Sequence, residues 1–164
     1  MSESRFVVEH VCLTADKPFE EVANDLARQL GRFDPEILRL ALASRDPQQA
    51  KAKINSMAGP GGFMLFGASD HGLLLGVVGR PRKAVQFVVG NPAIALEMTQ
   101  HDLRAGLYAP LRLLLYQDEQ GQTCLEYDKP SSLFGQFAND AITPTATLLN
   151  QKLEALTANA LAIV

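Results

Sequence analysis

The chain has 164 residues, 47% hydrophobic and 20% charged, with a formal charge of −3 and no biased tract, which fits one ordinary globular domain. That acidic balance excludes broad nucleic-acid binding, which needs a basic face to displace the counterions condensed on phosphate. The longest apolar run, Leu73-Leu74-Leu75-Gly76-Val77-Val78, falls far short of the ~20 residues that cross a bilayer, and the polar start Met1-Ser2-Glu3-Ser4-Arg5 lacks a secretory pattern, so a cytoplasmic protein without membrane contact is expected.

Phe6 to Leu13, rich in β-branched and aromatic residues and interrupted by Glu9 and His10, reads as a first strand with one partly polar face. Pro18, Glu20 and Glu21 then open a helix whose apolar stripe is Phe19, Val22, Ala23, Leu26 and Leu30, and Gly31 stops it. Phe33 to Met57 is helical in pattern, broken and restarted at Asp46-Pro47. After the turn Gly59-Pro60-Gly61-Gly62, Phe63 to Ala68 reads as a buried strand. Periodicity leaves Gly72 to Val78 open between helix and strand. Asp70 as a cap and Gly79 as a stop favour a short helix, whereas Gly72 and Gly76 oppose it.

Ala84 to Val89 alternates as a strand, and Gly90-Asn91-Pro92 turns it into a helix over Ala93 to Gln100, with the junction at Asn91. Leu111 to Tyr116 and Gln122 to Tyr127 flank Asp118-Glu119-Gln120-Gly121 and predict an antiparallel hairpin. Thr143-Pro144 opens a last helix with Leu149, Leu153, Leu156 and Ala160 on one stripe. Cys12 and Cys124 lie in apolar strand-like runs without ligand spacing and read as buried reduced thiols. The order of elements predicts a single α+β domain over residues 1–164, with one antiparallel-rich sheet of about five strands and helices packed on one face.

Five short motifs keep a fixed order: Ser69-Asp70-His71, Gly90-Asn91-Pro92, Ala109-Pro110-Leu111, Asp118-Glu119-Gln120-Gly121 and Tyr127-Asp128-Lys129-Pro130. Together they resemble the bacterial family catalogued as domain of unknown function 302, with Ser69 and Ala109 standing where its members more commonly carry Ile and Leu. The resemblance implies a compact α+β sandwich of sheet and helices. Its core would be residues 63–133, and residues 33–62 would be an N-terminal helical elaboration longer than the family usually has. The family has no settled activity, so function has to be argued from a site.

Histidine alone titrates near neutral pH unperturbed, which draws attention to Asp70-His71 and His101-Asp102. Adjacent side chains point in different directions, so neither aspartate orients its neighbour by sequence position alone. His10, His71 and His101 lack His-x-x-x-His spacing, and neither a metal nor a cofactor is expected. Arg80, Arg82 and Lys83 form the one concentrated positive cluster, able to focus a carboxylate or phosphate, and the Gly90-Asn91-Pro92 turn adds helix-start amides. The expected function is therefore binding of a small polar or anionic ligand by Asp70, His71, Arg80, Arg82, Lys83, Asn91 and Tyr127. Two alternatives remain at this point. One is an enzyme using His71 or His101 as general base; the other is a homodimeric interaction module using a sheet edge or the Phe134/Phe137 region.

Overall fold

The structure, a computed structural model, describes residues 3–162; Met1 and Ser2 of the polar N-terminal run lie outside them. The first strand, β1 (His10–Ala15), starts later than the apolar run that announces it, because pairing with the last strand begins at His10↔Asp128. Helix α1 (Phe19–Gln29) follows, with Pro18 at its cap position, its carbonyl accepting from Glu21 and Val22 N–H. Phe19, Val22 and Leu26 are its buried stripe.

A two-residue strand, β2 (Gly31–Arg32), comes next and runs parallel to β3 (Met64–Asp70). It makes six strands where the sequence predicts about five, since a two-residue strand carries no periodicity to read. Glycine is required here by close backbone crossing. A Cβ on Gly31 would lie 1.8 Å from the Met57 carbonyl oxygen, and one on Gly59 2.2 Å from that of Gln29. Between β2 and β3, α2 (Pro35–Leu42) and α3 (Pro47–Asn55) are capped by Asp34 and Asp46, whose carboxylates accept helix-start N–H groups.

The chain from Gly72 to Val78 is helical, as α4 (His71–Leu74) and a 3-10 turn (Leu75–Val78). β4 (Ala84–Gly90) leads through Asn91 into α5 (Pro92–Thr99), and a second 3-10 segment (Leu103–Tyr108) reaches the cis Ala109-Pro110 bond. β5 (Leu111–Gln117) and β6 (Thr123–Asp128) form the antiparallel hairpin, with Asp118 accepting from the Gln120 and Gln122 N–H groups in its turn. Two helices end the chain, α6 (Pro130–Gly135) and α7 (Thr143–Leu161).

The six strands stand in the order β1-β6-β5-β4-β3-β2, antiparallel throughout except for the β2–β3 pair. The α7 stripe of Ala146, Leu149, Leu153, Leu156 and Ala160 packs with α1 onto the inward side chains of β4, β5 and β6. Each fully buried leucine in that layer contributes about 2 kcal/mol. A smaller cluster joins Ala41, Ile54 and Met57 of the α2–α3 region to Met64 and Ala93. A bulge between Leu65 and Gly67 frees Phe66 to stack on Phe33 at 4.3 Å between ring centroids. The cysteine expectation holds for Cys124, which is buried, and fails for Cys12, which is exposed because β1 turns alternate side chains away from the core.

Candidate functional site

Alternation along the central strands divides their side chains between two faces. In β5, Leu111, Leu113 and Leu115 enter the core, whereas Arg112, Leu114 and Tyr116 point the other way. Register carries this second set across the sheet: Gln86 pairs with Leu114, Leu114 with Glu126, and Glu126 with Cys12. One row of side chains thus crosses four strands on the face that α1 and α7 leave uncovered.

His71 and Leu75 border this face at the end of β3, and Arg82 reaches it from the loop before β4, with Lys83 at its edge. Together with Tyr116 and Glu126 they line a groove of about 650 Å³. A hollow of about 230 Å³ continues it past Gln86 and Leu114 to His10, Arg112 and Asp128. Local packing fixes the His71 wall: Gly72 is buried so tightly against the loop that a Cβ would lie 2.0 Å from the Arg82 carbonyl oxygen, while Arg82 N–H donates to the Gly72 carbonyl at 3.2 Å. The Asp70 carboxylate accepts from Leu73 N–H at 2.7 Å and starts this helical turn.

Glu126 is the hub of the floor. One carboxylate oxygen accepts from the Tyr116 hydroxyl at 2.6 Å and from the Cys12 thiol at 3.3 Å, and the other meets His10 Nε2 at 3.2 Å. The opposite ring nitrogen, Nδ1, lies 2.8 Å from Asp128. Both nitrogens therefore face carboxylates, an arrangement satisfied when His10 carries two protons. The shifts follow these bonds. The Tyr116 hydrogen bond chiefly holds the Glu126 carboxyl below its ordinary range, and the same bond pushes the Tyr116 phenol up. His10 is raised, first by Asp128, and the Cys12 thiol is raised by desolvation and then by Glu126.

The cationic side is more loosely held. Arg82 approaches Glu119 only to 3.8 Å, beyond hydrogen-bond range, whereas Lys83 pairs with Glu20 at 2.6 Å. Lys83 also sits 5.9 Å from the centre of the Phe19 ring. The groove thus offers an available guanidinium on one wall and a carboxylate, already hydrogen-bonded, on the floor.

Of the residues expected to bind a ligand, His71 and Arg82 share this groove, and Lys83 borders it with its ammonium turned to Glu20 of α1. Asp70 is spent on the helix cap, and Arg80 is exposed in the adjoining loop. Tyr127 points inward and is buried in the main core. Asn91 lies at the far end of β4, which spans about 20 Å at strand rise, so it and His71 share no cleft. There Asn91 is structural: it accepts from Ala93 N–H at 2.9 Å and donates to Asn55 and the Gly62 carbonyl at 3.0 Å each. Asp102 likewise caps Arg104 N–H and pairs with its guanidinium.

His10, Gln86, Glu126 and Asp128 were not singled out as site residues by sequence reasoning. The only local signal was a charged residue flanked by Leu125 and Tyr127, which half-covered strands show routinely. Among the described residues, no group of three or more His, Cys, Asp or Glu side chains is arranged to hold a metal ion.

Such geometry defines an α+β domain of one sheet, helix-covered on one face and carrying a polar groove on the other. The family model for DUF302, a domain of unknown function, matches residues 40–160, and the chain belongs to that family. It is similar in fold to the crystal structure of an uncharacterised conserved DUF302 protein from Bacillus stearothermophilus. The TM-score is 0.65 at 20% identity, covering 92% of this chain and 97% of that one. No curated protein matches the chain. Among the described residues, no helix is long and apolar enough to cross a membrane.

Proposed function

We propose that this protein is a cytoplasmic binding domain for a small polar ligand bearing an anionic group, held on the uncovered sheet face. One observation carries the reading: His71 and Arg82 converge with Gln86, Tyr116 and Glu126 on one groove of about 650 Å³, within the usual size of small-molecule sites. Arg82 supplies a planar fork for carboxylate or phosphate, whereas the Lys83 ammonium is turned to Glu20 of α1. Leu75 and Leu114 offer apolar contact to the rest of the ligand. An exposed free thiol at Cys12 agrees with a reducing compartment.

The test is a thermal-shift screen of organic acids and phosphorylated metabolites, followed by calorimetry on any hit. Arg82→Gln should weaken binding of the hit by about tenfold or more, as expected for losing a charge-assisted pair. Binding unchanged in both Arg82→Gln and His71→Gln would sink the proposal.

A second reading, self-association, has its own observation. Leu73, Leu74, Val77 and Val78 are exposed by 71%, 65%, 83% and 68%, an apolar stretch that a second copy could cover. The aromatic region considered from sequence is less available, since Phe134 is buried and Phe137 packs on Tyr108 and Arg104. Sedimentation velocity over a wide concentration range, with Val77→Ser as control, decides this reading.

A further inference from the structure

Two of the motifs that mark this chain stay outside the groove. The turns Gly90-Asn91-Pro92 and Ala109-Pro110-Leu111, remote in sequence, both line a separate cavity of about 190 Å³ at the far end of β4 and β5. Its floor is buried Met98, Phe134 and Leu149, and Phe66, freed by the β3 bulge, forms part of its wall. Pro110, exposed, and Pro92, half-buried, are also part of the lining.

Polarity decides what such a space can hold. Pro92 and Pro110 have no N–H to offer. Asn91, the one polar side chain in the lining, already uses its oxygen on Ala93 and its nitrogen on Asn55 and Gly62. Water needs two to four polar partners to be held in place, and this half-open lining supplies almost none. A sealed apolar cavity of about 150 Å³ takes up benzene, and this space, slightly larger and open on the side of exposed Pro110, has room for a ring of that size and a way in for it.

We infer that the cavity between the Gly90-Asn91-Pro92 and Ala109-Pro110 turns is a second binding site, taking an uncharged apolar molecule or moiety about the size of one substituted benzene ring. It is independent of the groove, which lies at the other end of β4.

The experiment is a titration of the full chain with toluene, with benzoate as its charged counterpart, followed by carbon-labelled methyl resonances of Met98, Ile94, Leu111 and Leu149. Toluene should give saturable shifts confined to those methyls, and benzoate should leave them in place. Ala95→Leu projects three further carbons from α5 into the lining and should weaken toluene by about tenfold or more. If that variant does not fold, Ala95→Val should give a smaller loss in the same direction. Absence of saturable shifts up to the solubility of toluene overturns the inference, as does equal response to benzoate or toluene affinity unchanged by the folded variant. Shifts at these methyls that grow with protein concentration alone would also overturn it, assigning the cavity to a side chain of a second copy.

Discussion

Replacing Asn91 with alanine separates a structural role from a ligand-binding one. Asn91 is 7% exposed, accepts from Ala93 N–H as the cap of α5, and donates to Asn55 and the Gly62 carbonyl. Losing the cap costs about 1 kcal/mol. Leaving the Ala93 donor and the Gly62 acceptor unpaired in a buried setting adds about 1–3 kcal/mol. The expected total is about 2–4 kcal/mol, or about 5–15 °C in Tm for a chain of this length. Asn55→Ala removes only one of the three bonds, and from an exposed partner, so its cost should stay below about 1 kcal/mol. Urea denaturation of both variants, read by circular dichroism, provides the comparison. A loss below about 1 kcal/mol for Asn91→Ala, or equal losses for the two, would refute the capping and tethering argument. The variant should also leave any groove ligand bound with unchanged affinity, since the groove lies about 20 Å away along β4.

Three further outcomes follow from the geometry. Gly31→Ala should fail to fold or lose more than about 4 kcal/mol, because its Cβ would meet the Met57 carbonyl at 1.8 Å and the Gly59 nitrogen at 2.5 Å; wild-type stability on denaturation would contradict that crossing. His10 is raised above its ordinary value in the fold, so its contribution is complete below pH ~6.5 and is lost as pH climbs through the folded value; being half exposed, it should amount to less than about 1 kcal/mol. Proton NMR should show the His10 titration falling in Asp128→Asn, and an unmoved titration would remove Asp128 as its main cause. Tyr116→Phe deletes the hydrogen bond that chiefly lowers Glu126, so the Glu126 carboxyl resonance should titrate at higher pH than in wild type.

What was legible in the sequence is what short-range chemistry determines. Asp70 and Asn91 show their capping roles through the residues beside them, the Asp118 to Gly121 tip announces its hairpin, and the α7 stripe repeats at helical spacing. Strand β2 escaped because it has only two residues, held by backbone bonds from elsewhere. The Glu126 hub escaped for another reason: Cys12, Tyr116 and Glu126 meet only once three strands are placed in register, and register is a long-range property. Joining Asn91 to His71 in one cleft was natural in sequence, since both sit at strand-to-helix turns, but antiparallel pairing of β3 with β4 sends those turns to opposite ends.

The strand order has a consequence for synthesis. β1 pairs only with β6, so the first strand made has no partner until residue 128 has left the ribosome. At about 5–20 residues per second, that wait lasts at least roughly 6–23 s, the time from synthesis of Ala15 to synthesis of Asp128. During it the apolar stripe of α1 also lacks β5 and α7, its surroundings in the finished layer. The nascent N-terminal third therefore leaves Phe19, Val22 and Leu26 uncovered until the hairpin arrives, whether or not the helix has formed locally.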